Sequence, residues 1–194
     1  SGGGGKFVVR NNGEIALSGQ LDRELTAEHQ LLIGVADSGV PSQRTEFRLT
    51  VLVGDINDSP PRFVFPPAER PGPPHQVNIS INQIPGNPVA TIIAHDDDTG
   101  QNGNVTYRLL RSRAAPASSS GSAAGAETPT DFADYFNLEP LTGRLLLRRR
   151  LQGVPAADGC LGGGSGRLLR LEASDQGQPS LKRVTQLRIC AVND

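Results

Sequence analysis

The sequence predicts an all-β chain built from β-sandwich units in tandem. Three observations carry this expectation. Short strand-like runs recur along the chain, separated by turns rich in the 23 glycines and 15 prolines. No segment holds a long helical period. The second half also repeats the order of features of the first.

The opening "SGGGG" reads as flexible linker. Then come "KFVV", "EIAL", "QLLIGVA" and "EFRLTVLV", with turn signals at Asn12-Gly13 and in "DSGVP" between them. In the last run Phe47, Leu49, Val51 and Val53 alternate as a half-buried strand does. It leads directly into "DINDSPPRF", two aspartates and an asparagine stopped by Pro60 and Pro61. "PPAERPGPPH" is extended and cannot sit inside a sheet. About seven strand-like runs follow: "VNISI", "VATIIA", "VTYRLL", "YFNL", "RLLL", "RLLRLEA" and "QLRICAV". Residues 112–130 and 153–166 read as disordered inserts of low complexity. The internal match pairs "LLIGVADSGVPS" with "LLRLEASDQGQPS" and "DIND" with "AVND", whose ends lie 194 − 58 = 136 residues apart. The expected division is a C-terminal part of one unit over 1–58 and a second unit over 59–194.

Composition narrows the function. A formal net charge of −1 gives no global footprint for nucleic acid. No apolar run is long enough to span a bilayer, and no signal peptide opens the chain. With no Met, not even at position 1, the sequence is expected to be a segment of a longer protein. His29, His75 and His95 have no Ser or Cys partner pattern, so an enzyme is not expected. Three His and two Cys without ligand spacing argue against zinc.

Acids are concentrated in three clusters. Asp22 and Glu24 of "LDRE" point to one side of an extended chain, as do Asp96 and Asp98 of "DDDTGQNG". The third cluster is "DIND". Asp175 stands apart in "EASDQGQP". Carboxylates and amides at strand ends are the donors that Ca²⁺ takes, six to eight oxygens at a time. Each cluster by itself is more often an ordinary turn. "DDDTG" also fails as an EF-hand loop, with Gln101 at the glycine position and Tyr107 at the terminal glutamate position.

Taken in order, "LDRE", "VADSGVP", "DINDSPPRF", "AHDDDTGQNGNVTY" and "FNLEPLTG" closely resemble the cadherin repeat. The inserts and irregular second unit resemble the long atypical cadherins of the Dachsous and Fat type. The resemblance implies tandem seven-stranded Greek-key sandwiches, the first incomplete, with about three Ca²⁺ ions at the junction. Carried over, the ligands are Asp22 and Glu24, then Asp55, Asn57 and Asp58 with backbone oxygens of Ile56 and Ser59. Asp96, Asp98, Asp175 and a backbone oxygen of Asn102 complete them. Ser59 stands where the family has Asn, and Asp37 would serve the upstream junction. Ile81, Gln152, Gly153, Val154 and Ala191 replace positions that carry the next junction's motif, so that junction is expected to bind little calcium.

The implied function is calcium-dependent cell–cell adhesion through an extracellular rod. The alternative is a secreted calcium-binding matrix module without direct adhesion. Implied partners are other cadherin-type ectodomains, homophilic or heterophilic, with no nucleic acid. The implied location is the extracellular part of a single-pass plasma-membrane protein anchored outside this segment. Asn78 and Asn104 open glycosylation sequons, while Asn57 is discounted as a ligand followed by Ser59-Pro60. Arg148, Arg149 and Arg150 read as a solvated strand end. Cys190 falls out of phase with Leu187 and Ile189 and is expected to face outward, its pairing with Cys160 left open.

Overall fold

The computed structural model describes residues 5–67, 74–111, 131–151 and 167–192. Both expected inserts, Gln152 to Val154, Cys160 and the closing Asn193-Asp194 lie outside these. The chain divides into two compact units, Ser1–Ile56 and Asn57–Asp194.

The first unit holds two antiparallel pairs among its described residues. Strand β1 (Phe7–Val9) pairs with β2 (Ile15–Leu17) around a turn in which Gly13, at φ 84°, donates to the Arg10 carbonyl at 2.9 Å. That backbone angle is why glycine follows Asn12 there. Strands β3 (Glu28–Ala36) and β4 (Arg44–Leu52) form the longer pair, from Glu28 opposite Leu52 to Ala36 opposite Arg44. Leu31 and Ile33 alternate inward and are buried.

The second unit is a two-layer sandwich. Its strands are β5 (Arg62–Phe65), β6 (His75–Ser80), β7 (Pro88–Thr91), β8 (Ile93–His95), β9 (Thr106–Leu110), β10 (Phe136–Leu138), β11 (Arg144–Leu147), β12 (Arg167–Ser174) and β13 (Lys182–Val192). One sheet runs β10-β11-β7 and the other β6-β13-β12-β9, with β5 and β8 as a separate pair. Strand β6 lies parallel to β13, and all other pairs are antiparallel. A 3₁₀ turn at Phe132–Tyr135, capped by Asp131, leads into β10.

The core follows from the two-residue period of the strands. Leu169, Leu171 and Ala173 of β12 and Leu187, Ile189 and Ala191 of β13 face Leu145 and Leu147 of β11 and Phe136 and Leu138 of β10. The predicted run "VATIIA" is two strands, β7 paired with β11 and β8 with β5, with buried Ile92 between them, its N–H bonding the Gly143 carbonyl at 2.7 Å. Strand β5 was not expected: it is four residues long and follows two prolines. Phe63 nonetheless enters the core. Cys190 stays out of the core cluster, as its phase requires, yet it is fully buried. It is disulfide-bonded.

The internal repeat is structural. Asp37 takes the backbone N–H groups of Gly39 and Gln43 on its Oδ1, each at 2.9 Å, and its carbonyl accepts from Ser42 at 2.8 Å. Asp175, 175 − 37 = 138 residues later, takes those of Gly177 and Leu181 at 3.0 and 3.1 Å. Its carbonyl accepts from Ser180 at 3.0 Å. Both loops carry a cis proline, Pro41 and Pro179.

Candidate metal centre

In the second unit two strand ends supply three acids. Strand β8 stops at His95 and delivers Asp96 and Asp98, which are 6% exposed each; β12 stops at Ser174 and delivers Asp175, at 3%. The N–H of Asp98 donates to Asp96 Oδ1 at 3.0 Å, which fixes the turn. Gly103 lies so close to the Asp98 carbonyl that a Cβ would come within 2.1 Å of its oxygen, so the turn over 99–103 packs tightly on Asp98. Gln176 then donates from its N–H to the Gln101 carbonyl at 3.1 Å, joining the loop after β12 to that turn.

The segment before β5 closes on these loops. The Ser59 N–H donates to Asp98 Oδ2 at 3.2 Å. The Asn57 Nδ2 donates to the Pro179 carbonyl at 2.6 Å. Asn102 belongs to the same cluster: a Cβ at Gly177 would lie 2.6 Å from its Oδ1. Asp58 is exposed.

Electrostatically the cluster is costly as it stands. Burial pushes the Asp96 carboxyl up from its ordinary value, and the charges of Asp98, Asp175 and Asp97 push it further, against the lowering bond from the Asp98 N–H. Asp96 Oδ2 and Asn57 Oδ1 are buried oxygens without a hydrogen-bond partner. Buried acceptors are normally satisfied, so these two point to a missing donor or cation. The donors are carboxylate and amide oxygens, a set that suits a hard divalent ion and not zinc.

In the first unit the residues are tied differently. Asp22 Oδ1 accepts from the Leu25 N–H at 3.0 Å and the Asp22 carbonyl from the Thr26 N–H at 2.9 Å. Arg23 sits between the two other acids, with Nη2 at 2.5 Å from Glu24 Oε1 and Nε at 2.6 Å from Asp55 Oδ1. Ile56, whose backbone oxygen was assigned, has an exposed side chain. Asp37 is exposed, and the Gln43 and Gly39 N–H groups, with a smaller part from Ser42, hold its carboxyl below the ordinary range.

Sequence reasoning missed Arg23 and Gly177. Arg23 was visible as the basic residue inside "LDRE", but the charge pattern does not say which acid it meets. Gly177 matches Gly39 in the repeat and carries no further sequence signal. Two replaced positions are now placed. Ile81 packs against the core and its N–H bonds the Val192 carbonyl at 3.0 Å, and Ala191 is buried at 8% exposure. Asn78 in β6 and Asn104 before β9 are both exposed.

Fold and site define a β-sandwich module with a cluster of carboxylate and amide oxygens at its strand ends. No family model matches the chain. Rat Protocadherin-8 is 33% identical over 184 residues, covering 93% of this chain and 15% of that protein. Rat Protocadherin Fat 2 is 28% identical over 191 residues, covering 95% of this chain and 4% of that protein. Among solved structures, the Protocadherin GammaB4 extracellular domain matches with a TM-score of 0.74 and 26% identity, covering 97% of this chain and 26% of that one. The chain belongs to the cadherin superfamily, spanning about a seventh of the length of the first of these relatives, as the 15% coverage shows. The matched proteins are cadherin ectodomains, not enzymes. No helix among the described residues is long and apolar enough to cross a membrane.

Proposed function

We propose that this chain is a calcium-binding segment of an adhesive cadherin ectodomain. About three Ca²⁺ ions would be held by Asp22, Glu24 and Asp55 of the first unit together with Asn57, Asp58, Asp96, Asp98 and Asp175 of the second, plus backbone oxygens of Ile56, Ser59 and Asn102. The observation that carries this reading is the burial of Asp96, Asp98 and Asp175 beside an Asp96 oxygen without a hydrogen-bond partner. Like charges packed in this way repel, and a divalent ion converts the repulsion into cross-linking. The two units would then move as one stiff piece.

The same reading supplies the partners. The ligands are other cadherin-type ectodomains, homophilic or heterophilic, and the chain faces the cell exterior with its anchor elsewhere in the protein. Asn78 and Asn104, exposed in sequons, would carry glycans there. Calorimetric titration with CaCl₂ tests the core claim. The expected Kd is about 10⁻⁴–10⁻³ M. Heat indistinguishable from dilution up to about ten times the weaker value overturns it. Scattering in Ca²⁺ and in chelator then reads the stiffening, which should narrow the spread of dimensions.

A further inference from the structure

We propose that Gly177 is a positioning residue that lets the loop 175–181 clamp the side chain of Asn57. The inference rests on the calcium reading for its consequence, but the clamp itself is a property of the ion-free chain. Asn57 has a side-chain amide with two ends. Its Nδ2 donates to the Pro179 carbonyl at 2.6 Å, a bond that an amide oxygen cannot make. Its Oδ1 is buried and without a hydrogen-bond partner. The loop therefore grips the nitrogen end and leaves the oxygen end presented to the cluster.

The grip needs a bare Cα. A Cβ at Gly177 would lie 2.3 Å from Asn57 Nδ2, 2.5 Å from its Cγ and 2.6 Å from Asn102 Oδ1. No backbone angle demands glycine here, because Gly177 is not among the glycines at positive φ. What demands it is proximity. The loop is held from the other side as well, since the Gly177 N–H donates to Asp175 Oδ1 at 3.0 Å and the Gln176 N–H to the Gln101 carbonyl at 3.1 Å. It cannot retreat without breaking these bonds. The matching glycine of the first unit, 177 − 138 = 39, is under no such constraint. A Cβ at Gly39 would meet Asp37 Oδ1 at 3.1 Å and the Pro41 carbonyl at 3.4 Å, with nothing closer. One loop sequence thus serves as a plain turn in the first unit and as a clamp in the second.

The test uses the 194-residue chain with Ca²⁺ as the probe. Gly177→Ala should weaken calcium binding about 10–100-fold, the usual cost of losing a group that orients a metal ligand. Gly39→Ala should leave affinity within about twofold, well below that range. In the Asn57→Ala background, Gly177→Ala should add clearly less than it costs alone, because only the Asn102 side chain, 2.6 Å from the new Cβ, is left to displace. A second measurement needs no substitution. In chelator, the Asn57 side-chain amide of the native chain should exchange its protons slowly and resonate apart from free amides. Native affinity in Gly177→Ala, a full additional loss in the Asn57→Ala background, or a fast-exchanging Asn57 amide each overturns the proposal. If the unaltered chain binds no Ca²⁺, the calcium reading falls, and the amide measurement still decides the clamp.

Discussion

The loops 37–43 and 175–181 share one hydrogen-bond plan in opposite surroundings. Asp37 is exposed, whereas Asp175 is 3% exposed beside Asp96 and Asp98. The same contrast runs through the strands that carry them. Leu169, Ala173 and Thr185 are 1%, 0% and 6% exposed; their counterparts 138 residues earlier, Leu31, Val35 and Phe47, are 8%, 53% and 48%. Local sequence therefore sets the turn and its bonds. Whether that turn becomes a site depends on what the rest of the unit brings up to it.

The sharpest way to probe this difference is to remove the same atoms from both units. Leu169→Ala should cost about 2–5 kcal/mol, because a fully enclosed leucine leaves a cavity. Leu31→Ala should cost clearly less, since its neighbours Val35 and Phe47 are open to water and can relax. Chemical denaturation of the chain, followed with probes in each unit, measures both. Equal losses would mean that the two inward faces are equally enclosed, and the comparison would break.

Next in size is the loop acid itself. Asp175→Ala strips the acceptor from the Gly177 and Leu181 N–H groups. Each buried donor left without a partner costs about 1–3 kcal/mol. Calcium affinity should fall with it. Asp37→Ala removes the equivalent bonds in water, where solvent replaces them, and should leave calcium affinity unchanged. A matched loss of affinity in both variants would place Asp37 in the same cage and sink the contrast.

Arg23 gives a smaller effect, confined to the first unit. Its guanidinium spans Glu24 and Asp55. Arg23→Gln should lower the melting temperature in chelator more than in saturating Ca²⁺, because the ion can take over the balancing of these carboxylates. An equal drop in both conditions would show that the arginine holds structure alone.

Much of this was legible in the sequence, for identifiable reasons. Period-2 runs gave β12 and β13, where one face meets the core and the other does not. Asp96 and Asp98 were visible as acids on one side of an extended chain, Asp175 only through the family resemblance, and folding brings the three together. The break at Ile92 was hidden, since "VATIIA" carries no Gly or Pro to mark it and only the change of partner from β11 to β5 reveals it. Strand β5 was hidden by its prolines. The burial of Cys190 was hidden because alternation gives direction and not cover. Gly177 was hidden because a close approach is a property of the partner, Asn57, which lies 177 − 57 = 120 residues away.

The smallest expected effect is in pH, and it separates the units by sign. In the first unit, backbone N–H groups favour the charged Asp37, so its folded pKa lies below the ordinary 3.8. Its contribution is present above 3.8 and is lost as the pH falls through the lower folded value. In the second unit, burial and neighbouring acids disfavour charged Asp96, so its folded pKa lies above 3.8. Its contribution is present below 3.8 and is lost as the pH rises through the higher folded value. In chelator, then, the second unit should lose stability as the pH rises from 3.8 through that higher value, while the first does not. Asp96→Asn should remove the loss, because the amide keeps the shape without the charge. Saturating Ca²⁺ should reverse the trend, since the ion competes with the proton and binds better as the carboxylate ionises. Melting curves across pH 4–7, with and without chelator, read all three. A second unit whose stability in chelator rises with pH, or an Asp96→Asn variant with the native profile, would show that the acids are already compensated within the chain, and the need for a cation would disappear.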